Sequence, residues 1–213
     1  MENYTEELKK LQSEMPKYEA ALKILETQLE IINNDYKYQR NYNPIEHIKT
    51  RIKTTNSIIK KLNNDKIPFT AANVSKYIND VVGVRIICAF KNDLYELIKI
   101  IKSSKIINVI KEKDFLSTPN QEGYRSYHLI VYVPVELISG RVMVKAEIQI
   151  RTLAMDLWAS LEHKLKYKSD YCTEEISKRL VEISDELDTI DNEMRELVNI
   201  ENQIKILNDY IDG

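Results

Sequence analysis

The chain has 213 residues, 43% of them hydrophobic and 30% charged, with a formal net charge of −2. That balance describes a folded globular chain rather than a disordered one, and it supplies no bulk positive charge to attract nucleic acid. Only four glycines occur, which excludes a phosphate site built on a glycine-rich loop, and no apolar run approaches the roughly 20 residues that span a bilayer.

The polar opening segment, residues 1–10, has a helical pattern and lacks the character of a signal peptide, so a cytoplasmic protein with no membrane partner is expected. Leu8, Leu11, Met15, Tyr18, Leu22, Leu25, Leu29 and Ile32 recur at alternating steps of three and four, which places them on one stripe of a helix. Pro16 interrupts that stripe, and a break or a new helix near Ser13 is expected. This first zone ends near Asn41.

The middle zone begins with Asn43-Pro44, after which a short basic helix is expected in the cationic segment 47–61, with Arg51, Ser57 and Lys61 on a helix and Lys53 on an adjoining turn. Residues 81–90 read as a buried strand, Asn92-Asp93 as the cap of a helix ending near Lys102, and residues 106–110 as a second strand. Residues 126–135 and 141–151 read as two strands of an antiparallel hairpin about Ser139-Gly140, followed by a helix from Leu153 to about Lys166. In the third zone Ile176, Leu180, Ile183, Leu187, Ile190, Met194 and Leu197 again mark a helical stripe. The stripes of the first and third zones must be covered by each other, by the core or by another subunit. Of the two cysteines, Cys88 sits in an apolar run and Cys172 follows a polar one. Neither belongs to a Cys/His cluster, so zinc and a disulfide framework are not expected.

Four features carry chemistry. In residues 141–151, Val142, Val144, Ala146, Ile148 and Ile150 form one face, while Arg141, Met143, Lys145, Glu147, Gln149 and Arg151 form the other. A purely structural strand alternates in the same way, but here an acid, an amide and a cation follow each other at two-residue steps, which suits a metal ion beside a polyphosphate. Asp80, just before the buried strand, offers a second carboxylate. Arg51, Lys53, Ser57 and Lys61 form a cationic set able to hold a triphosphate without glycines. Gly123-Tyr124-Arg125-Ser126-Tyr127-His128, after Pro119-Asn120-Gln121-Glu122, is a loop entering a strand, where Tyr124 can close over a purine base.

Together these stretches resemble the synthetase domain of the RelA/SpoT family, and within it the stand-alone small alarmone synthetases. The matching segments are residues 45–53 with Ser57 and Lys61; Asp80-Val81-Val82-Gly83-Val84-Arg85; Lys113-Asp114-Phe115; Gly123-Tyr124-Arg125-Ser126-Tyr127-His128; and Glu147-Ile148-Gln149-Ile150-Arg151-Thr152 running on to His163. The resemblance covers about residues 40–170. It implies an α+β fold in which a mixed-sheet, nucleotidyltransferase-like synthetase core is flanked by N- and C-terminal helices. One domain is then expected over residues 1–213, with N-terminal helices to 41, a catalytic core at 42–170 and C-terminal helices at 171–213.

The resemblance also implies a reaction, in which the β,γ-pyrophosphate of ATP passes to the ribose 3′-hydroxyl of GTP, GDP or GMP and AMP is released. Asp80 and Glu147 would hold Mg²⁺, and Glu147 would activate the hydroxyl. Arg51, Lys53, Ser57 and Lys61 would bind ATP, with Arg51 and Arg85 flanking the adenine. Tyr124 would stack on the guanine, with Lys113, His128, Gln149 and Asp156 on the acceptor or phosphate side. Two departures from the family pattern concern the acceptor: residues 119–122 carry no lysine and include Glu122, and Asp156 stands where many relatives have asparagine. The long relatives' histidine–aspartate hydrolase domain has no counterpart here, so synthesis without degradation is expected. Small synthetases assemble as homotetramers, and part of the family binds an alarmone or RNA in a central cleft. Two other readings compete: a nucleotidyltransferase moving a nucleotide, and a catalytically impaired nucleotide-sensing oligomer of the same fold.

Overall fold

The alternation of residues 141–151 is realised in β5 (Gly140–Thr152), where Val144, Ala146, Ile148 and Ile150 are buried while Glu147 and Gln149 lie half-buried on the opposite face. β4 (Tyr127–Leu137) pairs with it antiparallel, and the pairing closes at Leu137 and Gly140, whose φ of 113° suits a residue without Cβ. β2 (Val82–Cys88) lies on the other side of β5 and runs parallel to it. The computed structural model describes residues 2–168 and 173–211, so Cys172 falls outside the described residues.

The remaining strands differ from the sequence expectation. Residues 45–52 form a strand, β1 (Ile45–Ile52), not a basic helix. It pairs antiparallel with β2, with a bulge between Ile45 and His47. The bulge adds one residue to the β1 side, so Ile45 and Ile48 share a face although they are three apart. Ile45, Ile48 and Ile52 therefore show helical spacing while lying on a sheet. The strand read at 106–110 begins later and ends later, as β3 (Asn108–Asp114). It is the sheet edge opposite β1, paired with β4 alone among the described residues, and its Lys111, Glu112, Lys113 and Asp114 are exposed. An edge strand buries little, so its polar half gives no apolar signal. The result is a mixed five-stranded sheet in the order β1-β2-β5-β4-β3, and with its flanking helices the fold is α+β.

α1 (Glu2–Arg40) runs unbroken through Pro16. A proline inside a helix costs about 3 kcal/mol. Here it is exposed, while Leu11 on one side and Tyr18, Ala21, Leu25 and Leu29 on the other are all buried against the sheet. Burying each large apolar side chain contributes about 1.5–3 kcal/mol, so the stripe outweighs the break. α2 (Thr55–Asn64), α3 (Ala71–Tyr77) and α4 (Lys91–Ser103) contribute Ile58, Leu62, Val74, Leu94 and Leu97 to the same core. At the start of α4 the Asp93 carboxylate accepts from the Phe90 N–H, so Asp93 caps the helix from its first turn.

With the core on one side, the sheet face bearing Glu147 stays open. α5 (Leu153–Lys168) and α6 (Glu174–Ile211) follow β5 and pack on one another. No helix among the described residues is long and apolar enough to cross a membrane.

Candidate active site

The strand registers align one row of polar side chains across the sheet. Lys113 of β3 stands opposite His128 of β4, His128 opposite Gln149 of β5, Gln149 opposite Arg85 of β2, and Arg85 opposite Lys49 of β1. Two residues along, Glu147 stands opposite Gly83, and Gly83 opposite Arg51. Period-two alternation therefore puts all these residues on the open face. A cavity of about 190 Å³ opens there, lined by Lys49, Arg51, Gly83, Arg85, Glu147 and Gln149.

Gly83 shapes this cavity. A Cβ at that position would lie 3.3 Å from both Cγ and Nε of Arg51. The missing side chain lets Arg51 lie flat across the sheet toward Glu147's row.

Asp80 is 7% exposed and is surrounded by cations. Lys53 Nζ and Lys61 Nζ each donate to it at 2.7 Å, and an Arg51 guanidinium nitrogen lies 4.0 Å away. Burial acts to raise its pKa, but hydrogen bonds and charge from Lys53 and Lys61 hold it below the usual carboxylate value. Ser57 sits in the first turn of α2, its hydroxyl 2.8 Å from that of the N-cap Thr54. Of the expected set, Arg51, Lys53 and Lys61 meet at Asp80 from the end of a strand, the connection after it and a helix, while the contacts of Ser57 are with Thr54.

Glu147 is held from both sides. His128 Nδ1 lies 3.4 Å from its Oε1, and Gln149 Nε2 donates to its Oε2 at 2.9 Å. Burial again works to raise the pKa, and these partners, His128 foremost, outweigh it and keep the carboxylate ionised. On its other edge His128 meets the Tyr124 hydroxyl, 2.8 Å from Nε2. Phe115 packs edge-on against both rings.

The cation at the end of this strand has a structural place that its position in the sequence does not reveal. Arg151 is 3% exposed; it donates to the Tyr124 hydroxyl at 2.6 Å and to Asp156 at 3.3 Å, and its guanidinium lies 5.0 Å from the Tyr124 ring centre. Asp156 also accepts from Lys49 and Arg85, both at 3.1 Å. Asp156, expected on the guanine side, ties Lys49, Arg85 and Arg151 together; burial acts to raise its pKa, and Lys49 and the two arginines hold it low. Arg151, read from the sequence as the cation of the polar row on β5, is instead buried in this network; Lys49, expected on a helix and given no contact of its own, reaches Asp156 because residues 45–52 form a strand. Lys113 is exposed opposite His128.

Among the described residues no group of three or more His, Cys, Asp or Glu side chains is placed to hold a metal. Asp80 and Glu147 are carboxylates held in the ionised form, the donor type that Mg²⁺ takes, and in this structure Lys53 and Lys61 occupy the two oxygens of Asp80. Such ions take one or two protein carboxylates and complete their shell with substrate phosphates and water.

The model of the region found in RelA / SpoT proteins matches residues 50–171, more than half of the chain. The chain belongs to the RelA/SpoT family. It is 45% identical over 156 residues to the GTP pyrophosphokinase YwaC of Bacillus subtilis, covering 73% of this chain and 74% of that one. To YjbM, another GTP pyrophosphokinase of Bacillus subtilis, it is 35% identical over 84% of each chain. The crystal structure of the Bacillus subtilis small alarmone synthetase 1 bound to its product pppGpp superposes with a TM-score of 0.79 at 34% identity, covering 85% of this chain and 93% of the other. The RelA/SpoT region reaches from the end of β1 past α5. It contains every sequence-predicted site residue and leaves α1 and α6 outside.

Proposed function

We propose that this RelA/SpoT-family chain transfers the β,γ-pyrophosphate of ATP to the 3′-hydroxyl of a guanine nucleotide, releasing AMP. One observation carries this reading: the ionised Glu147 stands between a cationic edge formed by Arg51, Arg85, Lys53 and Lys61 and an aromatic–imidazole edge formed by Tyr124 and His128. The names of the two Bacillus relatives and the pppGpp-bound neighbour support the same activity.

In this reading ATP lies over β1 and α2. Lys53, Ser57, Lys61 and Arg51 receive its phosphates, and Arg51 and Arg85 flank the adenine. The triphosphate competes with Asp80 for the two lysine ammonium groups, which are already gathered at one point. The acceptor lies toward β4, its base on Tyr124, with Lys113, His128 and Gln149 on its phosphate or ribose side. The 3′-oxygen attacks the β-phosphorus, the bond to the α,β-bridging oxygen breaks, and AMP leaves. Glu147 accepts the hydroxyl proton, for which its ionised state prepares it. Bound Mg²⁺, held by Asp80 and Glu147, would neutralise charge on the transferred phosphates. The remaining work is positioning two polyanions in line.

Assembly belongs to the same proposal. On α5, Leu153, Leu157, Leu161 and Leu165 are each about half exposed, and on α6 Ile190, Met194 and Leu197 are exposed as well. α1 buries its stripe within the chain. The uncovered apolar stripes on α5 and α6 favour a homotetramer in the cytoplasm, with a light-scattering mass about four times that of the chain.

The reaction is tested with Glu147→Gln and Asp80→Asn, each purified and shown to be folded by circular dichroism. Both should lose guanosine-dependent AMP release by at least about 100-fold. Retained turnover in both variants would refute the metal and proton roles.

A further inference from the structure

We infer that α6 is the positioning element for the loop that presents Tyr124, acting through Ser184 and Asp185. The inference rests on the reading of Tyr124 as the guanine-side aromatic.

The loop at 119–126 is organised locally by Asn120. Its Oδ1 accepts from the backbone N–H of Glu122 at 3.0 Å and of Tyr124 at 2.9 Å, and its carbonyl accepts from the Gly123 N–H at 3.0 Å. These bonds shape the turn without fixing where it sits over the sheet. Ser126 ties the end of the loop to Ile150 and Phe115, while contacts to α6 hold the stretch on either side of Tyr124. On one side the Gly123 carbonyl accepts from Ser184 Oγ at 2.5 Å, and Ser184 is 3% exposed. Gly123 has φ 85°, and a Cβ there would lie 3.0 Å from Ser184 Cβ and 3.2 Å from Val181 Cα. The loop backbone therefore rests directly on the helix, and only glycine permits the approach. On the other side Arg125 donates to Asp185 at 2.7 Å and places its Nε 3.6 Å from Asp188. The residue between these two anchors is Tyr124, whose hydroxyl meets His128 and Arg151 at the site.

α6 is itself tied to the sheet that carries the chemistry. Lys91, at the start of α4, donates to Asp188 at 2.7 Å and to Asn192 at 2.9 Å. Thr152, the last residue of β5, donates to Asp191 at 2.7 Å, and Trp158 of α5 donates to the Leu180 carbonyl at 2.8 Å. The helix thus has fixed contacts to β5, α4 and α5 and transmits that position to the loop. A loop held in its binding geometry before the acceptor arrives spares the ordering entropy on binding. Loss of the anchors should weaken the acceptor selectively, because the ATP-side groups on β1, α2 and β2 make none of these bonds.

The test uses the full chain with Ser184→Ala, Asp185→Asn and the conservative Asp185→Glu. Asp185 is 65% exposed, so its substitutions leave the packing of α6 intact. With GDP as acceptor, Ser184→Ala and Asp185→Asn should raise the KM for GDP about 3–10-fold. The KM for ATP should stay unchanged, and Asp185→Glu should restore the KM for GDP. Independently of turnover, the amides of Gly123 and Tyr124 should exchange hydrogen faster in the first two variants than in the parent chain. Unchanged amide exchange would overturn the inference, as would an equal rise in both KM values. Absence of GDP-dependent AMP release from the parent chain would instead refute the proposed reaction, and the exchange data would still decide whether α6 holds the loop.

Discussion

His128 braces Glu147: its Nδ1 stands 3.4 Å from the Glu147 Oε1, and the two residues come from neighbouring strands. The Tyr124 hydroxyl closes the other edge of the imidazole. The proposed base and the proposed guanine-side aromatic are therefore joined through one ring.

Replacing that ring should affect chemistry more than ATP binding. Partners that orient a metal-ligating carboxylate are typically worth about 10–100-fold in activity or metal affinity. His128→Gln should lower kcat within that range and raise the Mg²⁺ concentration needed for half-maximal rate, with KM for ATP little changed. Steady-state kinetics with Mg²⁺ titration checks this.

Gly83→Ala should act on the ATP side. The added methyl would meet Arg51 Cγ and Nε at 3.3 Å, and a long side chain with free rotation yields by swinging away. The fold survives, but Arg51 leaves its place over the cavity. A rise in KM for ATP of about fivefold is expected, equivalent to about 1 kcal/mol, with KM for the acceptor unchanged.

Asp156→Ala should cost stability. The Arg151 side chain is 4% exposed and would lose its carboxylate partner. Leaving a buried cation without that partner costs about 2 kcal/mol. Urea denaturation of the two proteins measures the loss directly, and Asp156→Asn, which keeps an acceptor oxygen, should lose less.

The pH dependence of stability isolates Asp80. Its folded pKa is lowered by Lys53 and Lys61 acting against burial. A depressed carboxylate contributes stability that is fully present above its unfolded pKa, about 4, and is lost as pH falls through the lower folded value. Asp93 and Asp191 work in the opposite sense, since burial raises their pKa values. The difference in melting temperature between the parent chain and Asp80→Asn removes those contributions. It should be constant from about pH 7 to pH 5 and shrink below about pH 4.

Legibility in the sequence followed period and burial. β5 was readable because it is central, with one face in the core, so alternation is complete from Val144 to Ile150. β1 was not, because its bulge places Ile45 and Ile48 on one face at a helical spacing. β3 was displaced because its exposed edge has no apolar requirement beyond Val109. Pro16 misled because a local rule was set against a stripe buried along the whole of α1. The chemistry-bearing residues were legible as types on strand faces, and the resemblance to RelA/SpoT proteins assembled them. The pairing of Lys53 and Lys61 on Asp80, the hub at Asp156 and the contacts of Ser184 and Asp185 with the loop depend on residues brought together only by the fold. No local pattern records such contacts.

The central claim is transfer of pyrophosphate, as an intact unit, to a guanosine 3′-hydroxyl. It is tested most directly by incubating the chain with Mg²⁺, ATP labelled at the γ-phosphate, and GMP, GDP or GTP, and resolving the products. The account predicts AMP in equal amount to a labelled guanosine nucleotide carrying a 3′-diphosphate. Incorporation of AMP into the guanosine product, or AMP release independent of guanine nucleotide, would contradict it.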